Sequence, residues 1–155
     1  MASTDPLLTD LRLELRHYEL RPVYVAATEL RVVPRQPRQL ADFGRVDGRG
    51  NLEQAIVMRL LTPRGELAAL GHPEYGSRLH ELVGTENTPT TRNRIKLYVL
   101  ECLQAEPRIE KVLDVSVEPV PGRPNRDRVD VTLRVRPLGD AEALAIGPLT
   151  LELGS

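Results

Sequence analysis

The clearest pattern in the chain is the stretch from Thr88 to Arg108, TPTTRNRIKLYVLECLQAEPR. Ile95, Tyr98, Val99, Cys102 and Leu103 recur there at three- and four-residue spacing, which lays them on one face of a helix. Thr88 suits the N-cap and Pro89 the first helical position. Pro107 ends the helix, because its ring excludes the preceding residue from helical angles and cannot donate to the turn before it. Glu106 then stands in the last turn, facing the negative end of the helix dipole, which costs about 0.3 to 1 kcal/mol. A group outside the helix is expected to hold it.

Beyond Arg108 the period switches to two. Leu113, Val115 and Val117 alternate with Asp114, Ser116 and Glu118, and Val129, Val131, Leu133 and Val135 alternate with Asp130, Thr132 and Arg134. The Pro/Gly/Arg segment Pro119 to Arg126 joins them, so an antiparallel hairpin with one wet face is predicted. Leu149, Leu151 and Leu153 predict a last short strand. Upstream, Asn51 is expected to cap a helix to about Leu61 on the spacing of Leu52, Ala55, Ile56, Arg59 and Leu60, with Thr62-Pro63 as its stop. Glu66 to Leu70 reads as a short extended piece. Ser77 is expected to cap a second helix, SRLHELV, that ends at Gly84.

The first ten residues read as a poorly ordered start. Leu11, Leu13 and Leu15, then Val23 and Val25, and then Leu30 to Val33 suggest short strands. Pro34 to Gly50 (PRQPRQLADFGRVDGRG) is rich in Pro, Gly, Arg and Asp and predicts a linker with a break in compact structure. The fold class expected is α+β: a small antiparallel sheet with helices packed on one face, in a single domain. Residues 1–50 form an N-terminal extension, 51–136 the core, and 137–155 a C-terminal tail with a short strand.

Composition narrows the function more than the fold. A chain of 155 residues, 41% apolar and 28% charged, can bury a sizeable core. A net charge of −1 with dispersed basic residues gives no footprint for nucleic acid or membrane. Aromatic content of 3% removes the stacking platforms of single-strand binders. Only Lys96 and Lys111 are lysines, an arginine bias that fits genomic composition or planar pairing at protein interfaces. The single Cys102 excludes an intramolecular disulfide, and neither a signal peptide nor an apolar run of about 20 residues is present, so synthesis in the cytoplasm is expected.

Candidate chemistry is sparse. His17, His72 and His80 have no partners at metal spacing, so no metal and no cofactor is expected. Ser77 sits in Gly-Ser-Arg-Leu, not in a nucleophile elbow. Gly48-Arg49-Gly50 lacks the strand, spacing and lysine of a phosphate loop. A glycosidase needs a spaced carboxylate pair, and nothing singles one out among Glu66, Glu74, Glu81 and Glu106. Glu106 and Arg108 flank Pro107 in an extended exit, where residues two apart share a side. They make either a local ion pair, worth about 1 kcal/mol at most if exposed, or a polar corner onto which partner helices dock.

The order Asn51-Leu52-Glu53-Gln54-Ala55, then Arg59 to Glu66 (RLLTPRGE), Pro73 to Leu79 (PEYGSRL), and Glu106-Pro107-Arg108 resembles the baseplate wedge protein 25 family. That family supplies sheath-initiating baseplate components to contractile phage tails and is similar to TssE of type VI secretion. The resemblance covers about residues 50 to 136. It implies a non-enzymatic structural component of a contractile injection system or phage tail, present in multiple copies in a ring. Glu106, Pro107 and Arg108 would pack on baseplate wedge proteins. The hairpin, with Val129, Val131, Leu133 and Val135, would accept a strand from the sheath protein, since an open edge offers unpaired N–H and C=O groups. The N-terminal extension could contact an inner tube, a spike or a neighbouring wedge. Some family members carry a lysozyme description, so a tail-associated muralytic enzyme is the alternative.

Overall fold

The computed structural model describes residues 6–15, 19–20, 28–30, 32–35, 40–122 and 125–154. The strand expected around Val23 and Val25, His17, and residues 1–5 lie outside these residues. The N-terminal part is built of short strands: β1 (Thr9–Leu11), β2 (Leu13–Leu15), β3 (Glu19–Leu20), β4 (Thr28–Leu30), β5 (Val32–Arg35), β6 (Leu40–Phe43) and β7 (Arg45–Asp47). Then come α1 (Gly48–Leu61), α2 (Pro89–Gln104), β8 (Ile109–Pro119), β9 (Arg128–Pro137) and β10 (Leu144–Glu152). The order in the main sheet is β3-β10-β9-β8, with β8–β9 and β9–β10 antiparallel and the two-residue β3 added parallel to β10. Three antiparallel pairs, β1–β7, β2–β4 and β5–β6, stand apart from it.

One face of the main sheet is the core. Val129, Val131, Leu133 and Val135 of β9 are 0% exposed, and Ile146, Leu149, Leu151 and Leu153 come from β10 and the residue after it. Ile95, Val99, Cys102 and Leu103 of α2 and Leu52, Ile56, Val57 and Leu60 of α1 close over them. This is the α+β, single-domain arrangement expected. Thr88 caps α2 through its hydroxyl, which accepts from the Thr91 N–H at 3.1 Å, with Pro89 in the first turn. The C-terminal strand is longer than expected and forms part of the core sheet, because its alternating apolar row continues back to Leu144.

Several local expectations fail for physical reasons. The region read as a linker holds β6, β7 and the start of α1. α1 begins at Gly48, and Asn51 is a buried residue inside it whose Nδ2 donates to the Leu7 carbonyl at 3.0 Å. Arg49 reaches Asp140 at 2.5 Å and the Ala143 carbonyl at 2.6 Å, so tertiary contacts hold a Gly-Arg-Gly turn that has little intrinsic helix propensity. Glu66 to Leu70 is not extended: turns lead into a single 3-10 turn at Ala68–Leu70. The second helix shrinks to another such turn at Leu79–Leu82, where Ser77 Oγ accepts from the Leu79 N–H at 3.4 Å while its hydroxyl donates to the Leu60 carbonyl at 2.7 Å. Leu11 is 42% exposed. Leu113 is 37% exposed because β8 bulges between Val112 and Asp114, so the inward row reads Val112, Val115, Val117.

Candidate functional site

The corner between α2 and β8 follows from what stops the helix. α2 ends at Gln104, with Ala105 still right-handed, and the Glu106 N–H donates to the Leu103 carbonyl at 3.1 Å. Pro107 then sends the chain outward, and the Arg108 carbonyl accepts from the Leu138 N–H at 2.8 Å, opening the β8–β9 ladder. The Glu106 side chain turns inward and is 4% exposed overall. Its Oε1 accepts from Arg108 Nε at 2.6 Å and from the Arg108 N–H at 3.3 Å. Its Oε2 accepts from Arg59 Nη2 of α1 at 3.3 Å. The Arg59 guanidinium lies over the Tyr75 ring, 4.5 Å from its centroid, and its Nε is buried with no hydrogen-bond partner among the described residues.

The electrostatics match this geometry. Burial is the largest single influence on Glu106 and pushes its carboxyl upward, but the Arg108 hydrogen bonds and charge, with Arg59, together hold it below the usual carboxylate range. Burial likewise raises the Tyr75 phenol above its ordinary value, only partly opposed by Arg59. Burial pushes the Cys102 thiol, on the same face of α2, up to about 12. The result is a carboxylate fixed between two guanidiniums, tying α1, the loop that carries Tyr75 and the start of β8 into one unit.

A second ion cluster lies nearby. Arg78 holds Glu81 with two bonds of 2.9 Å and stacks on Tyr98 at 4.3 Å. The Arg78 bond holds the Glu81 carboxyl below its ordinary range. A cavity of about 270 Å³ next to it is lined by Arg64, Glu74, Arg78, Tyr98, Glu101 and Cys102. Among the described residues no three His, Cys, Asp or Glu side chains gather where they could hold a metal ion, and no helix is long and apolar enough to cross a membrane.

The edge of the main sheet is the other candidate surface. Val120 donates to the Arg128 carbonyl at 3.0 Å and Leu153 to the Asp127 carbonyl at 2.7 Å. In antiparallel ladders hydrogen-bonded pairs recur at every second residue. The even residues of β9 therefore bond to β8 and the odd ones to β10. On β8, Asp114, Ser116 and Glu118 face β9 with their backbone groups, while Val115, Val117 and the Pro119 carbonyl turn theirs to the open side. Among the described residues nothing pairs with that side.

The residues expected to meet partners therefore fall into different places. Pro107 is exposed, Arg108 is half-buried and Glu106 is enclosed beneath them. Val129, Val131, Leu133 and Val135 lie in the central strand, with both its edges taken and their side chains in the core, so the open edge of the hairpin is that of β8 among the described residues. Arg59 and Tyr75 are site residues that the pattern did not single out. The signal for Arg59 was a cation in line with the apolar stripe of α1; Tyr75 stood in the motif PEYGSRL with no role of its own attached to it.

A family model described as baseplate wedge protein gp25 matches residues 46–138. A solved structure described as a candidate tail lysozyme from Geobacter sulfurreducens is similar at a TM-score of 0.52 and 26% identity, over 62% of this chain and 83% of that one. No curated protein sequence matches the chain.

Proposed function

The chain belongs to the baseplate wedge protein gp25 family, and on that premise we propose that it is a structural component of a contractile tail or injection-particle baseplate that starts sheath assembly. The observation that carries this reading is the continuity of corner and edge. The Glu106 clamp ends where β8 begins, and β8 is a long edge strand of the main sheet whose outer backbone groups are unpaired among the described residues. The corner, through Pro107 and the outer part of Arg108, docks on wedge proteins while Glu106 holds it from beneath. The edge takes an extended segment of a sheath subunit, whose backbone satisfies Val115 and Val117.

One substitution separates the edge from the fold. Val117 points its N–H away from β9, so Val117→Pro removes a donor only from an incoming strand and leaves the β8–β9 ladder intact. Particles assembled with this variant are expected to show baseplates without sheath by electron microscopy, while circular dichroism of the isolated chain stays native. Normal sheathed particles would end the strand-accepting reading. The companion change Pro107→Asp, at an exposed position, is expected to keep the chain folded but out of the baseplate.

A second reading is motivated by the tail-lysozyme description of the structural relative. A glycosidase acid needs its carboxyl raised toward neutrality. Glu106 and Glu81 are instead both held down by arginine, which supports the structural role. Purified protein is expected not to clear a peptidoglycan suspension; clearing that disappears with one Glu→Gln change would establish the enzyme.

A further inference from the structure

The open edge of β8 carries a charge pattern that specifies its occupant. This inference rests on the strand-accepting reading and goes on to the chemistry of the strand. The pairing register turns Asp114, Ser116 and Glu118 to the solvent face, and Val115 and Val117 toward the helices. Beside that edge runs an open groove of about 380 Å³, between this part of β8 and the stripe Pro89, Arg92, Asn93 and Lys96 of α2.

A strand laid along β8 therefore has two unlike faces. Its inward side chains enter the groove and meet Arg92, whose Nη1 is oriented by Asn87 Oδ1 at 2.8 Å, and Lys96, which makes no ion pair among the described residues. Its outward side chains lie beside Asp114 and Glu118, neither of which is in an ion pair among the described residues. Glu118 also stands directly opposite Asp130 on β9, a like-charge pair that a neighbouring cation would offset. The length is bounded as well. Pro119 has no N–H to offer at one end, and the bulge at Leu113 breaks the edge at the other.

We infer that β8 takes a short extended segment carrying acidic side chains on its groove face and basic side chains on its solvent face. The two rows lie on opposite sides of the added strand, so opposite charges alternate along its sequence.

Two peptide probes test this on the full chain, labelled for amide NMR: one alternating threonine with glutamate, the other threonine with arginine. Both are expected to shift the Val115 and Val117 amides. Lys96→Glu is expected to weaken the glutamate peptide about five-fold and to spare the arginine peptide, and Glu118→Lys to do the reverse. Both sites are exposed, so neither change threatens the fold. Shifts at Val115 and Val117 that neither variant alters would overturn the charge assignment and leave strand addition standing. Absence of shifts with both peptides would overturn it too. In that case the Val117→Pro particles decide separately whether β8 accepts a strand at all.

Discussion

Replacing Glu106 by Gln keeps the shape of the side chain and removes its charge. In the native corner the carboxylate accepts from Arg108 Nε at 2.6 Å, the Arg108 N–H at 3.3 Å and Arg59 Nη2 at 3.3 Å, with the Glu106 side chain 3% and the Arg59 side chain 13% exposed. A neutral oxygen leaves two guanidiniums facing each other, one of them in the interior beneath Tyr75. Breaking a buried pair by removing one partner costs about 3 to 5 kcal/mol, because the remaining charge is uncompensated. A domain of this size loses about 2 to 4 °C per kcal/mol, so the midpoint should fall by about 6 to 20 °C. Thermal and urea unfolding followed by circular dichroism at neutral pH would measure it.

The pH dependence has a definite sign. The folded-state carboxyl of Glu106 lies below its ordinary value, so its contribution is full above the unfolded-state value of about 4.3 and is lost as pH falls through the folded one. The gap between native and Gln proteins should be constant from neutrality down to about pH 5 and close below about pH 4. Arg59→Met combined with Glu106→Gln should cost less than the sum of the two single changes, since the double change leaves no unpaired charge on α1 beneath Tyr75 and strands only Arg108, the more exposed of the two arginines. A neutral-pH loss under about 1 kcal/mol, the size of an exposed pair, would refute the clamp.

Cys102 should resist alkylation at pH 8 in the folded protein and react in denaturant, because burial pushes its thiol up to about 12; mass spectrometry of iodoacetamide-treated samples reads this directly. Gly76→Ala should cost about 1 to 3 kcal/mol in urea unfolding, since Gly76 sits at φ +107° and an added Cβ would meet the Pro63 carbonyl and the Thr62 carbonyl, which accepts from the Ser77 N–H at the base of the 62–77 loop. Thr88→Ala should cost about 1 kcal/mol by removing the bond to the Thr91 N–H, with Thr88→Ser retaining most of it.

Where periodicity was long, the sequence was legible. α2 and β9 each carry an unbroken apolar row, and cap, stop and buried face follow from it. Short pieces held by distant contacts were not. α1 extends back through Gly48 because Arg49 finds Asp140, a residue 91 positions later. Leu113 faces out because of a bulge that leaves the residue types unchanged. The candidate corner was legible in part. An ill-placed carboxylate correctly implied a partner, but the answer combined the neighbouring Arg108 with Arg59, 47 positions upstream, and only the fold could supply that second partner.

The position of the open edge depends on the part of the chain outside the family match. β10 begins at Leu144, after the matched segment ends at residue 138, and it bonds to the odd residues of β9 while β8 takes the even ones. β9 is thereby closed on both sides. The far edge of β10 is interrupted where its register shifts between Ile146 and Leu149, and β3 covers it at Thr150 and Leu151. Of the long strands of the main sheet, that leaves β8 with a continuous open side among the described residues, in the stretch between the Leu113 bulge and Pro119. On the proposed reading a strand added there would load the sheet at its edge, and the resistance has to come from whatever fixes the start of β8. The only charges that bind this start to α1 among the described residues are Glu106 and Arg59. A carboxylate buried against two arginines is an inefficient way to gain stability, since an apolar replacement of similar volume is often as good. It is an effective way to fix one arrangement of helix, loop and strand at the point where partners would pull on them.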